Sequence, residues 1–134
     1  MDDPRTSYVP RKRILLVEDD QFLSSLMTMR LARDGGFDIV PAMTGDDALA
    51  MLADSAQHFD LVLLDLILPG KSGFEVLEEL QNRPGLHPPI IITSNLGQEA
   101  DVARGKSLGV VDYFVKAQTP IDELITHIKS ILGG

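Results

Sequence analysis

The sequence predicts an α/β fold: one doubly wound sheet of five parallel strands in the order 2-1-3-4-5. Three observations carry this expectation. Short apolar runs alternate five times with segments whose apolar residues recur at helical spacing, the pattern of βα units whose sheet is covered on both faces. Right-handed crossovers then restrict how such units can wind. Three of the strands also end in charge, at Glu18-Asp19-Asp20, Asp65 and Lys116, and in this order strands 1 and 3 are neighbours at the edge where doubly wound sheets bind ligands.

The first strand is Ile14-Leu15-Leu16-Val17, and Gln21 to Ala32 follows as a helix with Phe22, Leu23, Leu26, Met27 and Leu31 at helical spacing, stopped by Gly35-Gly36. Phe37 to Ala42 reads as the second strand. Thr44 can cap a helix running to about Ser55 through Ala48, Leu49 and Leu52. The most apolar run, Leu61-Val62-Leu63-Leu64, is the central strand and presents Asp65 before Pro69-Gly70 turns the chain. Ser72-Gly73-Phe74-Glu75 has the form of a capping box and opens the third helix.

The fourth strand is Ile90 to Thr93, ending in Ser94-Asn95. Gln98 to Leu108 is a helix with little apolar surface, weakened by Gly105 and followed by Gly109. It is the element expected to rearrange most readily. Val110 to Val115 forms the fifth strand, and Thr119-Pro120 offers a cap and a first-turn proline to a last helix striped by Ile121, Leu124, Ile125, Ile128, Ile131 and Leu132.

Composition narrows the function classes. The 134 residues suit one domain, with residues 1–11 as a flexible tail and 12–134 as the folded unit. A net charge of -8 argues against direct nucleic-acid binding, which needs clustered Lys and Arg. The basic run Arg11-Lys12-Arg13 reads as a solvated lead-in. Cysteine is absent, which excludes disulfides and thiolate metal sites; with no apolar run long enough to cross a membrane, a cytoplasmic protein is expected. His58, His87 and His127 share no ligand spacing.

Carboxylates brought together raise one another's pKa unless a cation intervenes, and oxygen donors on a half-open surface suit Mg²⁺. Taken singly, Asp19 and Asp20 could cap the first helix and Asp65 a turn. Taken together, Glu18-Asp19, Asp65 with Pro69-Gly70, Ser94 and Lys116 resemble the site pattern of two-component response regulator receiver domains, over roughly residues 12 to 133. The resemblance implies a flavodoxin-like receiver fold, acting as a phosphorylation switch and not as an enzyme with a separate substrate.

By that resemblance Asp65 is the phosphoacceptor, taking a phosphoryl group from a histidine kinase or histidine phosphotransfer protein. Asp19, Asp65 and the backbone carbonyl of Ile67 would hold Mg²⁺, with Glu18 acting through a bound water. Lys116 would pair with a phosphoryl oxygen, and Ser94 would hydrogen-bond another. Tyr113, three before Lys116, matches the family's switch aromatic. A downstream protein target would dock on the fourth helix, fifth strand and fifth helix, while the kinase would dock around the first helix.

Ser94 and Thr93 both carry hydroxyls, but strand alternation points them to opposite faces, and the spacing from Ser94 to Asp101, Gly105, Gly109 and Lys116 resembles that of family members more closely than the spacing from Thr93. Ala117 stands where many receivers have a proline, so no slow isomerisation is expected there. Ile67 and Leu96 are apolar positions flanking the site, expected to exclude hydrolytic water and prolong the acyl phosphate. A haloacid-dehalogenase-type phosphatase would need Asp-x-Asp, and Ile67 occupies that second position. The remaining alternatives are a receiver-like binding module that is not phosphorylated and a receiver fragment of a larger regulator.

Overall fold

A computed structural model describes residues 10–83 and 85–133. The tail expected over the first residues therefore lies largely outside the described range. In chain order the elements are β1 (Arg13–Val17), α1 (Gln21–Gly35), β2 (Asp38–Ala42), α2 (Gly45–Ala53), β3 (Leu61–Leu64), α3 (Gly73–Asn82), β4 (Ile90–Ser94), α4 (Glu99–Ser107), β5 (Asp112–Val115), a 3-10 turn (Lys116–Gln118) and α5 (Ile121–Leu132). The strands form one sheet in the order β2-β1-β3-β4-β5, and every pairing is parallel. This is the fold expected from the sequence.

Alternation along each strand divides the core in two. Leu15, Val17, Val62, Leu64, Ile90 and Ile92 face α2 and α3, meeting Ala48, Leu49, Phe74 and Leu77. Ile14, Leu16, Leu61, Leu63 and Ile91 face α1 and α5, meeting Met27, Leu31, Leu124, Ile125 and Ile128. Because both faces are covered, β1 and β3 read as unbroken apolar runs, whereas an open sheet face would leave polar residues between them. Burying a large aliphatic side chain in these layers contributes about 1.5–3 kcal/mol.

Local signals set most boundaries. Gly36, at φ 72°, ends α1 in the left-handed region. Asp20, Thr44 and Ser72 cap α1, α2 and α3 by accepting from Leu23, Asp47 and Glu75 N–H groups, and Glu75 returns the bond to Ser72 N–H.

The structure corrects four expectations. Phe22 is 80% exposed; lying five residues before buried Met27, it is turned about 140° round α1 from the core face. Thr119 does not cap α5: Pro120 occupies the N-cap position without a side-chain cap bond. Pre-proline geometry holds Thr119 extended, one position too early to reach the helix N–H groups. Ile131 is exposed at 38%, leaving Leu124, Ile125 and Ile128 as the buried stripe.

The fourth correction concerns the basic run, which is fastened although Arg11 and Lys12 are exposed and Arg13 is half-buried. Arg11 donates to the carbonyls of Ala32, Gly36 and Phe37, and Arg13 donates to the His58 carbonyl while its guanidinium lies 4.9 Å from the Phe59 ring centre.

Candidate functional site

The parallel register places the ends of β1 and β3 side by side, pairing Val17 with Leu64. The next residues, Glu18 and Asp65, are therefore delivered to the same point on the carboxyl edge, and the Asp65 N–H donates to the Val17 carbonyl at 3.1 Å. Both acids are buried, Glu18 at 2% and Asp65 at 5% exposure, whereas Asp19 faces solvent. One oxygen from each of the three lies within 4.8 Å of the others. Among the described residues no other cluster of acids or histidines has metal-ligand spacing, and the three histidines stay apart from it.

β5 brings the base. Lys116 Nζ lies 2.8 Å from Asp65 Oδ2 and also donates to Glu18 Oε1. The second oxygen of each acid is engaged too, Glu18 Oε2 by the Asp20 N–H at 3.0 Å and Asp65 Oδ1 by the Ile67 N–H at 3.1 Å. Burial pushes the Glu18 carboxyl upward; the hydrogen bonds from Lys116 and Asp20 oppose this only in part, and the nearby Asp65 charge reinforces it. For Lys116, burial works against the ammonium, but the bonds to Asp65 and Glu18 outweigh it and hold its pKa above the ordinary value.

Ser94 and Thr93 separate as alternation requires. Ser94 is fully buried on the face shared with Ile90 and Ile92, and its Oγ accepts from the Leu96 N–H at 3.3 Å. Thr93 lies on the other side, bordering a cavity of about 70 Å³ with Leu23, Met27, Phe114, Lys116 and Ile121. Tyr113 is half-buried, and its hydroxyl donates to the Leu96 carbonyl. Leu96 thus joins Ser94 through its N–H to Tyr113 through its carbonyl. Burial raises the Tyr113 phenol pKa, with the charges of Asp101 and Asp65 adding to the effect. At the rim, Ile67 is 56% exposed and Leu96 partly buried.

Two glycines shape this region. Gly70, at φ 72°, makes the turn after Asp65. Gly73 is a site residue that sequence reasoning missed: a Cβ there would stand 2.4 Å from the Asp65 carbonyl oxygen and 2.7 Å from Leu66 Cα. The available signal was a glycine at the first position of a helix whose cap and following residues are all favourable.

Chemically, three carboxylate groups at an edge form an oxygen donor set suited to a small hard divalent cation, and the adjoining ammonium suits an anionic ligand. No helix among the described residues is long and apolar enough to cross a membrane.

Comparison with known proteins agrees with this geometry. Residues 14–129 match the response regulator receiver domain. The transcriptional regulatory protein CpxR of Klebsiella pneumoniae is 40% identical over 122 residues, covering 90% of this chain and 49% of that protein. The chain spans about half the length of the curated relatives it matches. Among solved structures, the BeF3-activated N-terminal receiver domain of Klebsiella pneumoniae RstA superposes with a TM-score of 0.80 at 29% identity, covering 92% of this chain and 100% of that one. The phosphorylated cyanobacterial phytochrome response regulator RcpA gives 0.77 at 32%, covering 91% of each chain. With the sheet order and the edge cluster in place, these matches assign the chain to the response regulator receiver domain family of two-component signalling.

Proposed function

We propose that this receiver is a phosphorylation-activated switch in which Asp65 is the phosphoacceptor. The observation that carries the reading is the meeting of Asp65 with Glu18, Asp19 and Lys116 at one sheet edge. A carboxylate oxygen of Asp65 attacks the phosphorus of a phosphohistidine on a kinase or phosphotransfer protein; a P–O bond forms, the P–N bond breaks with its electron pair going to the ring nitrogen, and the imidazole leaves neutral, its other nitrogen already carrying the ring proton. Asp19, Asp65 and the Ile67 carbonyl would hold Mg²⁺, with Glu18 acting through a water, and the bound ion would supply charge neutralisation for the transferring group. Lys116 then moves its donors from the acids to a phosphoryl oxygen, and Ser94 offers a hydroxyl to another. Positioning and charge account for most of the rate gain in such transfers.

The consequence for the rest of the molecule runs through Leu96. When Ser94 turns towards the phosphoryl group, its Oγ is withdrawn from the Leu96 N–H, altering the loop whose carbonyl holds Tyr113. Phosphorylation thereby shifts the balance between arrangements already accessible to the face of α4, β5 and α5, where a protein target docks. Two relatives support this reading by their states, one described as BeF3-activated and one as phosphorylated.

The test is intact mass after incubation with Mg²⁺ and a small phosphodonor, comparing wild type with Asp65→Asn. A metal-dependent, base-labile adduct absent from the variant is expected. A folded wild-type protein that gains no adduct would overturn the switch reading in favour of a binding module.

A further inference from the structure

The helix α4 presents an energetic puzzle. Its buried residue is Gly105, which has no side chain to pack, so apolar burial of the helix itself contributes little to seating it. Arg104, the preceding residue, supplies other contacts. Its guanidinium carbon sits 4.2 Å from the centre of the Phe74 ring, and its Nη2 donates to Glu78 Oε1 at 3.0 Å. Both partners lie on α3, and Phe74 is 8% exposed.

These contacts fall between two parts of the proposed switch. Phe74 follows Gly73, whose Cα abuts the backbone of Asp65 and Leu66 so closely that a Cβ would clash. On the other side, Gly105 lies under the aromatic ring of Tyr113: a Cβ at 105 would approach Tyr113 Cδ2 to 3.2 Å and Ile92 Cδ1 to 2.8 Å. Arg104 thus ties α4 to α3 at the residue next to the glycine on which Tyr113 rests.

We propose that Arg104 is a positioning residue for Tyr113, holding α4 against Phe74 and Glu78 so that the ring lies over Gly105 with its hydroxyl on Leu96. The inference rests on reading Tyr113 as the switch aromatic. It adds a route from the phosphoacceptor strand to Tyr113 through α3 and α4, separate from the route through Ser94 and Leu96. The Glu78 pair is exposed on both sides and contributes little alone. Contact with the ring face is the stronger part, and guanidinium stacks there better than ammonium.

The chain has two tyrosines, so 3-fluorotyrosine labelling gives a two-line ¹⁹F spectrum in which Tyr113→Phe assigns the relevant line. The experiment uses the full chain without phosphodonor, which makes its outcome independent of whether Asp65 is phosphorylated. Arg104→Met, which keeps a long apolar stem but removes the charge and the planar fork, is expected to shift the Tyr113 line or split it, changing the ratio of its two environments roughly fivefold. Phe74→Leu should move the same line in the same direction, and Arg104→Lys should recover part of the wild-type position. Unfolding cooperativity is measured on each variant to establish that it is folded. A Tyr113 line unmoved in folded Arg104→Met would overturn the proposal, as would a line equally displaced in Arg104→Lys.

Discussion

Gly73 touches the backbone of Asp65: a methyl group at position 73 would stand 2.4 Å from the Asp65 carbonyl oxygen. The obstacle is the main chain of Asp65 and Leu66, to which the Gly73 N–H is also tied by donating to the Leu66 carbonyl at 2.9 Å. Gly73→Ala must therefore displace the strand end that presents Asp65. Overpacking of this kind costs about 1–3 kcal/mol. Urea unfolding should show that loss, and the rate of adduct formation by intact mass should fall at least about tenfold because the reacting oxygen is misplaced. A variant with wild-type stability and rate would mean that the backbone yields without consequence.

Lys116 is the counter-ion of two buried acids. Lys116→Met leaves Glu18 and Asp65 facing each other, and thermal unfolding in a chelator near neutral pH should show a loss of about 3–5 kcal/mol. Adding Mg²⁺ should restore part of the stability, because a cation bound only by the folded state stabilises it by mass action. Equal losses with and without Mg²⁺ would argue against metal binding at these acids.

The two adjacent hydroxyls should part company on mutation. Ser94→Ala is expected to slow adduct formation and to uncouple Leu96, whereas Thr93→Val places a methyl group against an apolar cavity and should leave the phosphorylation rate within about twofold. Reversal of this order in a rate comparison would identify Thr93 as the switch hydroxyl.

Acid sensitivity should arise in part far from the site, at Asp60. Burial acts to raise its carboxyl pKa, but the bond from the Arg13 N–H at 2.8 Å, with His58 contributing, outweighs burial and holds it below the ordinary value. A group whose folded pKa is depressed stabilises above its unfolded value, about 3.9, and loses that contribution as pH falls through the folded value. Asp60→Asn should therefore cost about 1 kcal/mol at pH 7 and progressively less below about pH 4. Urea midpoints across that range provide the check.

The rim residues are expected to set the lifetime of a phosphoryl group on Asp65. Ile67, 56% exposed beside Asp65, presents an apolar side chain where a polar one could hold a hydrolytic water. Ile67→Asn should shorten the half-life of the adduct several-fold, followed by mass after removal of the phosphodonor. A wild-type half-life of only seconds would remove the basis for assigning this role to Ile67 and Leu96.

How far the sequence foretold these features follows from where each is determined. β1 and β3 were legible because burial on both faces leaves no polar residue to interrupt the run, and the acids after them were legible because they break it. Ser94 was separable from Thr93 because strand period is fixed at two. Phe22 misled because its spacing within a helix does not say which side of that helix meets the sheet. Thr119 misled because a cap signal and a proline signal compete at adjacent positions. Gly73 and Arg104 act through contacts between α3 and its neighbours, which local sequence does not encode.

The arginine at position 11 sets a limit of a different kind. The shared family pattern begins at residue 14, yet Arg11 already satisfies the closing carbonyls of α1 at Ala32 and Gly36, where a cation is also favoured by the helix dipole. Trimming to the family boundary would remove this clasp and fray the end of a helix that carries core residues. Because α1 runs back from the acidic edge for 15 residues, about 22 Å at helical rise, the chain enters the domain at the pole opposite its chemistry. A label or fusion joined ahead of Pro10 would thus attach at the far pole from Asp65 and leave the approach of a phosphodonor open.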